Sequence, residues 1–434
     1  MKTLNTVSKA TLASAIALLV VAKASAYELH KDENSTLNAD FLGVAGYFDS
    51  QKNYFGGNDG ATWSEGFAKY GLSGDYSTGG GQTFFGAVNY VSSGTWGDGD
   101  AAGLTDGSER ETELEDAYIG WRSGTSIPAL GENGLEASLG RQVIQIGDGF
   151  IVNDDGLNLG NSLANGELNR GGAYYLAARR AFDQTATIRL NTQQGLKADL
   201  LWFKSDNDAQ ASTEMAATTL GYTSEQGFVE FSYIKGLDVD EQWASPAVAE
   251  RDGMNIYSLR ASGNAGIENA NFAFEYAHQD TDSNDENAWY VEGGYSFSDV
   301  NWSPSVTYRY TRYSENWDSL FNGFSIYGKW FQGEVAGNYA GPFNSNTGIH
   351  HAGLTLSPSE AVTVGALAYR FNNVSGDSTD ATELDLYVDW VAHDHLIISP
   401  LVGFYKPDNS VADGGTQNDD DLNVYAQLVA VVPF

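Results

Sequence analysis

The chain has 434 residues and no cysteine, so disulfide bonds cannot stabilise it. Its 57 acidic residues outnumber its 23 basic residues, and the net charge of −34 excludes a nucleic-acid-binding protein, because a phosphate partner needs a basic surface. The acidic excess suits either solubility in a salty environment or an attraction for cations. Glycine is abundant, proline is scarce, and no Pro-rich or Ser-rich linker divides the chain.

Residues 1–26 have the order of a secretory signal peptide. Lys2 and Lys9 precede an uncharged, mostly apolar run that is shorter than the roughly 20 residues of a membrane-spanning helix. Small residues then end the segment at Ala26, after which we predict cleavage. The mature chain, 27–434, carries a net charge of −37, because the signal holds three lysines and no acid. We expect it to form one domain without a membrane-spanning helix.

The mature sequence repeatedly alternates apolar with polar residues. This period of two extends through 196–202, 270–276, 306–310 and 384–390, in segments of about ten residues. Such segments match tilted transmembrane strands, whereas soluble β-sandwiches usually have strands of about five or six residues. The pattern predicts a transmembrane antiparallel β-barrel, closed because lipid offers no hydrogen-bond partner to a free edge.

The connections between these segments also alternate in length. Short turns are predicted at 193–195, 224–226 and 393–394, and longer acidic loops at 205–215, 237–252, 280–286 and 406–421. Short periplasmic turns and long extracellular loops are typical of barrels in the outer membrane of Gram-negative bacteria. Direct counting of the pattern gives about 20 strands.

The C-terminal segment has the longest unbroken alternation. Seven apolar residues at every second position run from Leu422 to the terminal Phe434. We expect this strand to close the barrel with its apolar face in lipid. A terminal Phe after such a strand also resembles the signal that the outer-membrane assembly machinery recognises.

One long connection, 144–184, is rich in Gly, Asn and Arg and lacks clear periodicity. A connection of this length is usually functional or mobile. It either folds into the lumen and constricts the pore or lies outside as a surface loop. Residues 172–180 form either part of it or a separate strand.

Arginines are the candidate pore-lining and substrate-binding residues. Alternation places Arg189, Arg260, Arg309 and Arg370 on the polar face of their strands. Three further arginines lie at the edges of the long connection, at positions Arg141, Arg179 and Arg180. These side chains either select anions and bind carboxylates, or neutralise lumen carboxylates such as Asp199, Glu275 and Asp385.

Several segments resemble the alginate export family of outer-membrane porins: LGRQVIQIGDGFI at 139–151, RRAFDQTATIRL at 179–190, and FSIYGKWFQGEVAGNY with SNTGIHHAGLTLSPSEAVTVGALAYRF within 324–372. The resemblance implies an 18-stranded barrel, for which we predict a range of 16 to 20 strands. It also implies passive passage of acidic saccharides, such as alginate or its oligomers, past arginines at Arg141, Arg179 and Arg189. The acidic charge favours, as the alternative, a general cation-tolerant porin without saccharide specificity.

Other chemistry has weaker support in the sequence. No nucleotide-binding, zinc-protease or serine-nucleophile motif is present, so we predict no enzyme; an outer-membrane hydrolase and a structural barrel are the remaining alternatives. His393 and His395 lack a third ligand and indicate a turn. The acidic residues of 98–109 resemble a calcium loop, although Ala102 breaks its pattern. The expected partners are outer-membrane lipid and lipopolysaccharide, the assembly machinery, and small hydrophilic solutes or acidic saccharides, with no cofactor and no nucleic acid.

Overall fold

A computed structural model describes residues 27–53, 59–163, 166–193, 195–322, 333–335 and 344–433. The predicted signal peptide, the terminal Phe434 and most of 324–339 lie outside the described residues. Nineteen strands form one antiparallel sheet. They are β1 (Tyr27–Lys31), β2 (Ser35–Ser50), β3 (Ala61–Ser77), β4 (Thr83–Gly97), β5 (Arg110–Arg122), β6 (Leu135–Gln142), β7 (Phe182–Asn191), β8 (Leu196–Lys204), β9 (Glu214–Ser224), β10 (Gly227–Asp238), β11 (Asn255–Gly263), β12 (Ala270–Asp280), β13 (Asp285–Ser296), β14 (Ser305–Tyr313), β15 (Thr347–Ser359), β16 (Val362–Asn373), β17 (Ala381–His393), β18 (Leu396–Pro407) and β19 (Asn423–Pro433).

The sheet closes on itself between its last and its first long strand. Each strand from β2 to β19 pairs with the next, and β19 pairs back onto β2 with Tyr425 opposite Ser50 and Pro433 opposite Leu42. The remaining strand, β1, pairs only with β2, where Tyr27 lies opposite Ala39 and so continues the line of β19 beyond its end. The barrel therefore has 18 strands, which confirms the predicted number rather than the direct count of about 20.

The two rims of the barrel differ in their connections. We call the rim at which β2, β4 and the other even-numbered strands end the loop rim, and the opposite one the turn rim. Tight connections such as 225–226, 360–361 and 394–395 lie at the turn rim, whereas 143–181 and 314–346 lie at the loop rim. One predicted loop is wrong: β12 and β13 extend toward each other, so only 281–284 connect them, and Thr281 and Asn284 hydrogen-bond across a tight turn.

Alternation separates the outer and inner faces of every strand. Leu200, Leu220 and Leu428 point outward and are about half exposed, whereas Phe48 and Tyr290 point inward and are fully buried. The inner side chains are buried because loop segments fill much of the interior. The outer face needs an apolar solvent, since about half of each of these leucine side chains would otherwise contact water.

Helical structure is nearly absent from the described residues. It consists of α1 (Pro246–Ala249) and single 3-10 turns at Asp208–Gln210 and Val411–Asp413. Among the described residues no helix has the length and apolar character needed to span a membrane. The suggested strand at 172–180 is also wrong: this stretch contains turns, and Ala173 and Ala177 have positive φ angles of 49°, which prevent an extended backbone.

Candidate functional site

Segment 143–181, which we call the inner segment, is held against the inner wall by strand carboxylates. Glu65 on β3 accepts hydrogen bonds from the backbone N–H groups of Tyr175 (3.0 Å) and Leu176 (3.1 Å). Glu115 on β5 likewise accepts from the N–H groups of Arg180 (2.7 Å) and Ala181 (3.0 Å). These contacts satisfy backbone donors that would otherwise be buried without partners.

A β-bulge directs Glu115 inward. Asn89 of β4 lies opposite Asp116, but the next residue, Tyr90, lies opposite Leu114, so Glu115 is the extra residue in β5. Both Glu115 and Asp116 are consequently buried, although consecutive strand residues normally face opposite sides. Period-two analysis could not detect this change of register.

The same segment reaches the opposite side of the barrel. The Tyr290 hydroxyl of β13 donates a hydrogen bond to Asp148, and the Phe150 ring packs edge-on against Tyr290 at 5.1 Å and stacks near Tyr313 at 5.6 Å. Arg309 of β14 lies over the Tyr290 ring at 3.5 Å. Because β13 and β14 are seven to nine strands away from β3 and β5 in an 18-stranded barrel, the inner segment contacts opposing walls.

The second long connection, 314–346, meets the inner segment. The Asn153 N–H donates to the Phe321 carbonyl at 2.9 Å, and the Tyr175 hydroxyl donates to Glu334. Farther along, the N–H groups of Glu334 and Val335 donate to Asp385 (3.3 Å) and Glu383 (2.7 Å) on the inner face of β17.

Three guanidinium groups converge on one carboxylate, Asp206, in the β8–β9 connection. The donors are Arg141 at 2.7 Å, Arg170 at 2.9 Å and Arg179 at 3.2 Å. Burial tends to raise the pKa of Asp206, but Arg170, Arg141 and Arg179 outweigh it and hold that pKa below its ordinary value. Arg170 also contacts Asp155 at 3.2 Å. Burial raises the pKa of Asp155 despite the opposing effect of Arg170.

The structure places the predicted arginines in different surroundings. Arg141 and Arg179 share Asp206, as described, and Arg180 pairs with the buried Asp154. Burial raises the pKa of Asp154, and the charge of Arg180 partly offsets that effect. Arg189 faces inward opposite Asp199 and Glu136 but has no ion pair with any described residue.

Two further predicted arginines also face inward. Arg260 lies 3.9 Å from both Asp148 and Glu275, and Arg309 lies 3.5 Å from Glu292. Because Asp148 belongs to the inner segment, Arg260 links that segment to the wall.

The predicted position of Arg370 is wrong. Its neighbours Tyr369 and Phe371 are buried inside the barrel, so Arg370 points outward, opposite the exposed His350. Near the loop rim it pairs with Asp408 at 2.7 Å and Asp380 at 3.7 Å. The prediction failed because the interior accepts aromatic rings here, so polarity alone does not identify the inner face.

Sequence reasoning also missed Arg170. It precedes Gly171 and Gly172, whose φ angles are +92° and +67°. A Cβ atom at Gly171 would lie 2.7 Å from the side chain of Glu111 in β5, and one at Gly172 would lie 2.7 Å from the side chain of Glu109, which immediately precedes β5. The paired glycines therefore allow the inner segment to approach β5 closely, and this Arg-Gly-Gly sequence is the signal that could have been found.

The calcium-loop prediction does not match the arrangement of its carboxylates. Asp100 accepts hydrogen bonds from the N–H groups of Ala102, Leu104 and Thr105 within its own loop, and Glu109 accepts one from Asn161. Within the described ranges no group of three or more His, Cys, Asp or Glu residues could hold a metal ion.

Known structures share this fold. A BenF-like porin from Pseudomonas fluorescens Pf-5 matches with a TM-score of 0.58 at 11% identity, covering 92% of this chain and 98% of that one. OpdQ from Pseudomonas aeruginosa matches with a TM-score of 0.57 at 13% sequence identity, covering 93% of this chain and 98% of that one. OccAB1 from Acinetobacter baumannii matches with a TM-score of 0.56 at 13% sequence identity, covering 94% of this chain and 99% of that one. No family model and no curated protein matches the sequence.

These similarities define the class as the fold of an outer-membrane porin, a closed antiparallel barrel of 18 strands. The similar structures reported above are the Occ and Opd porins OccAB1 and OpdQ and a BenF-like porin, and none of the three is named as an alginate export protein. The predicted family is therefore not supported, whereas the predicted barrel is confirmed.

Proposed function

We propose that this chain is a channel in the outer membrane of a Gram-negative bacterium and passes small hydrophilic solutes by passive diffusion. The observation that carries the proposal is the inner segment, which lies inside a closed barrel and contacts opposing walls through Glu65 and Asp148. A barrel that served only as an anchor would need no such inner structure. Residues 1–26 would direct export and be removed after Ala26.

The inner segment would set the constriction of this channel. Its anchoring carboxylates and the Asp206 cluster fix its position, so the open cross-section would depend on fixed side chains rather than on a freely moving loop. Contacts with 314–346, including the Asn153–Phe321 hydrogen bond, would make the two connections act together.

We further propose that the channel prefers cations. Arg370 points outward, and five of the other six predicted arginines lie within 4.0 Å of a carboxylate, so most of their charge is already balanced. Acidic side chains are in excess over the whole chain, and several partly accessible ones, including Glu136 and Glu292, face the interior. Fixed negative charge along a pore raises the local concentration of cations.

Acidic saccharides are a second candidate class of solute. The Asp206 cluster supports it, because three guanidinium groups share one carboxylate and buried nitrogen atoms of Arg141, Arg170 and Arg179 have no hydrogen-bond partner among the described residues. A carboxylated solute could accept hydrogen bonds from them. The competing carboxylates of Asp155 and Asp183 make this candidate weaker.

The test is the reversal potential of the refolded chain in a planar bilayer under a KCl gradient. Cation preference would support the proposed selectivity. Anion preference would refute it and favour the acidic-saccharide candidate. If no conductance appeared, the channel proposal itself would fail, and an outer-membrane hydrolase or a structural barrel would have to be considered.

A further inference from the structure

The outer face carries a repeated pair of residues near the loop rim. On five of the six even-numbered strands from β8 to β18, an outward aromatic side chain is followed two positions later by an outward basic one. The pairs are Trp202 with Lys204, Tyr233 with Lys235, Tyr276 with His278, Tyr310 with Arg312, and Phe404 with Lys406. The sixth strand, β16, carries Arg370 at the corresponding level. We call the six basic residues the basic belt.

The belt lies above an apolar and then an aromatic tier. On β10, Val229 and Phe231 are each about half exposed on the outer face, and Tyr233 and Lys235 follow toward the loop rim. Aromatic side chains favour the level where hydrocarbon meets lipid headgroups. Side chains one step closer to the loop rim therefore lie at the level of the headgroups.

The belt is densest between β14 and β18. Strand register places His350 opposite Arg370, Arg370 opposite Thr382, and Thr382 opposite Lys406, so these residues form one row across four strands. Adjacent strands are about 4.8 Å apart, which puts the backbones at Arg370 and Lys406 about 10 Å from each other. Arg312 lies one outward position nearer the loop rim on β14.

Three members of the belt, Lys235, Arg312 and Lys406, form no ion pair with any residue that the structure describes. In contrast, Arg370 pairs with Asp408, Lys204 with Glu214, and His278 lies 4.0 Å from Asp285. In a chain of net charge −34, a line of basic side chains at one level of the outer face, five of them Lys or Arg, contrasts with the rest of the molecule.

We propose that the basic belt binds the phosphate groups of lipopolysaccharide in the leaflet next to the loop rim. Guanidinium and ammonium groups form charge-assisted hydrogen bonds with phosphate oxygens, and the Arg312–Lys406 region offers both kinds of group. The acidic excess elsewhere leaves the belt as the complementary surface for an anionic headgroup. The inference rests on the proposed function only for the orientation of the barrel, with its loop rim outward.

The test compares two double variants of the full mature chain, refolded in an uncharged detergent. Arg312→Gln/Lys406→Gln removes the two charges without an ionic partner that lie in the densest part of the belt. The control, Lys31→Gln/Lys197→Gln, removes the same number of charges from exposed side chains near the turn rim, where Lys31 pairs with Glu28 and Lys197 faces the lumen. Binding of lipopolysaccharide, of its enzymatically dephosphorylated form and of inorganic phosphate is measured by fluorescence titration in the presence of EDTA.

We expect the belt variant to bind lipopolysaccharide roughly tenfold more weakly than the wild type and the control. The dephosphorylated lipid should bind both double variants equally, and inorganic phosphate should bind weakly to all forms. Equal affinity of belt and control variants for lipopolysaccharide would overturn the proposal. So would tight binding of inorganic phosphate, which would indicate a site for free anions, or loss of wild-type binding in EDTA, which would indicate bridging by divalent cations.

Conductance of the same variants separates this inference from the proposed function. The belt faces away from the interior, so Arg312→Gln/Lys406→Gln should leave the reversal potential unchanged. A wild-type chain that bound phosphorylated lipid but did not conduct would refute the channel and leave the belt intact.

Discussion

Replacing Asp206 by Asn tests whether one carboxylate holds the inner segment in place. Asp206→Asn keeps the shape of the side chain but removes the charge that Arg141, Arg170 and Arg179 contact at 2.7 to 3.2 Å. The three positively charged guanidinium groups would then lie close together without the negative charge that offsets their repulsion. We expect the inner segment to loosen while the strands remain paired.

The size of the effect follows from the burial of the cluster. Removing one partner from a buried ionic network costs about 3–5 kcal/mol, and the 31% exposure of the Asp206 side chain favours the lower end. Because each 1.4 kcal/mol is a factor of ten, about 3 kcal/mol corresponds to roughly 100-fold faster hydrogen exchange. The assay is exchange of the backbone amides of 170–181, followed by mass spectrometry in lipid vesicles.

The matched control is Asp183→Asn. Asp183 contacts the same Arg141 at 2.9 Å, but its side chain is 39% exposed and Arg141 keeps Asp206 as a partner. Exposed ion pairs contribute about 1 kcal/mol or less, so exchange should accelerate by less than about fivefold. Equal effects of the two substitutions would refute the assignment of Asp206 as the centre of the cluster.

The pH dependence provides an independent check. The pKa of Asp206 is lowered in the folded state, so its contribution to stability is fully present above the ordinary carboxyl pKa and is lost as pH falls through the lower folded value. After correction for intrinsic exchange rates, the amides of 170–181 should exchange faster in Asp206→Asn than in the wild type. This difference in exchange rate should persist from neutral pH down to the ordinary pKa of a carboxyl group. A difference that disappeared near neutral pH would contradict the ionic explanation.

Two further predictions concern the barrel. Gly124→Ala should destabilise it much more than Gly103→Ala, because a Cβ at Gly124 would lie 1.2 Å from the Gly81 carbonyl oxygen, whereas nothing lies within 4 Å at Gly103. Both have positive φ angles, which alone cost about 1–2 kcal/mol, and urea unfolding in vesicles measures the difference; similar midpoints would refute the clash. Leu428→Arg on the outer face of β19 should lower the free energy of unfolding by about 2–4 kcal/mol, whereas Leu422→Arg at the loop rim should lower it by only about 1 kcal/mol or less. Equal costs from the same unfolding assay would contradict the position of β19 in lipid.

Periodicity in the sequence was sufficient to predict the barrel and most strand faces. In β19 the residues at every second position from Val424 to Val432 point outward, as their alternation predicts. The inward arginines Arg189, Arg260 and Arg309 were identified in the same way. This prediction succeeds because a barrel strand has lipid on one side, and so its outer residues must be apolar whatever the rest of the chain does.

The tertiary structure decided which residues meet inside the barrel. Arg170 joins Arg141 only because the inner segment folds back across the interior, and Glu115 anchors that segment only because a bulge shifts the register of β5. Arg370 faces outward because aromatic rings of Tyr369 and Phe371 fill the interior there. Alternation reports the solvent of each face, whereas contacts among distant loops depend on chain closure and packing, which no local pattern encodes.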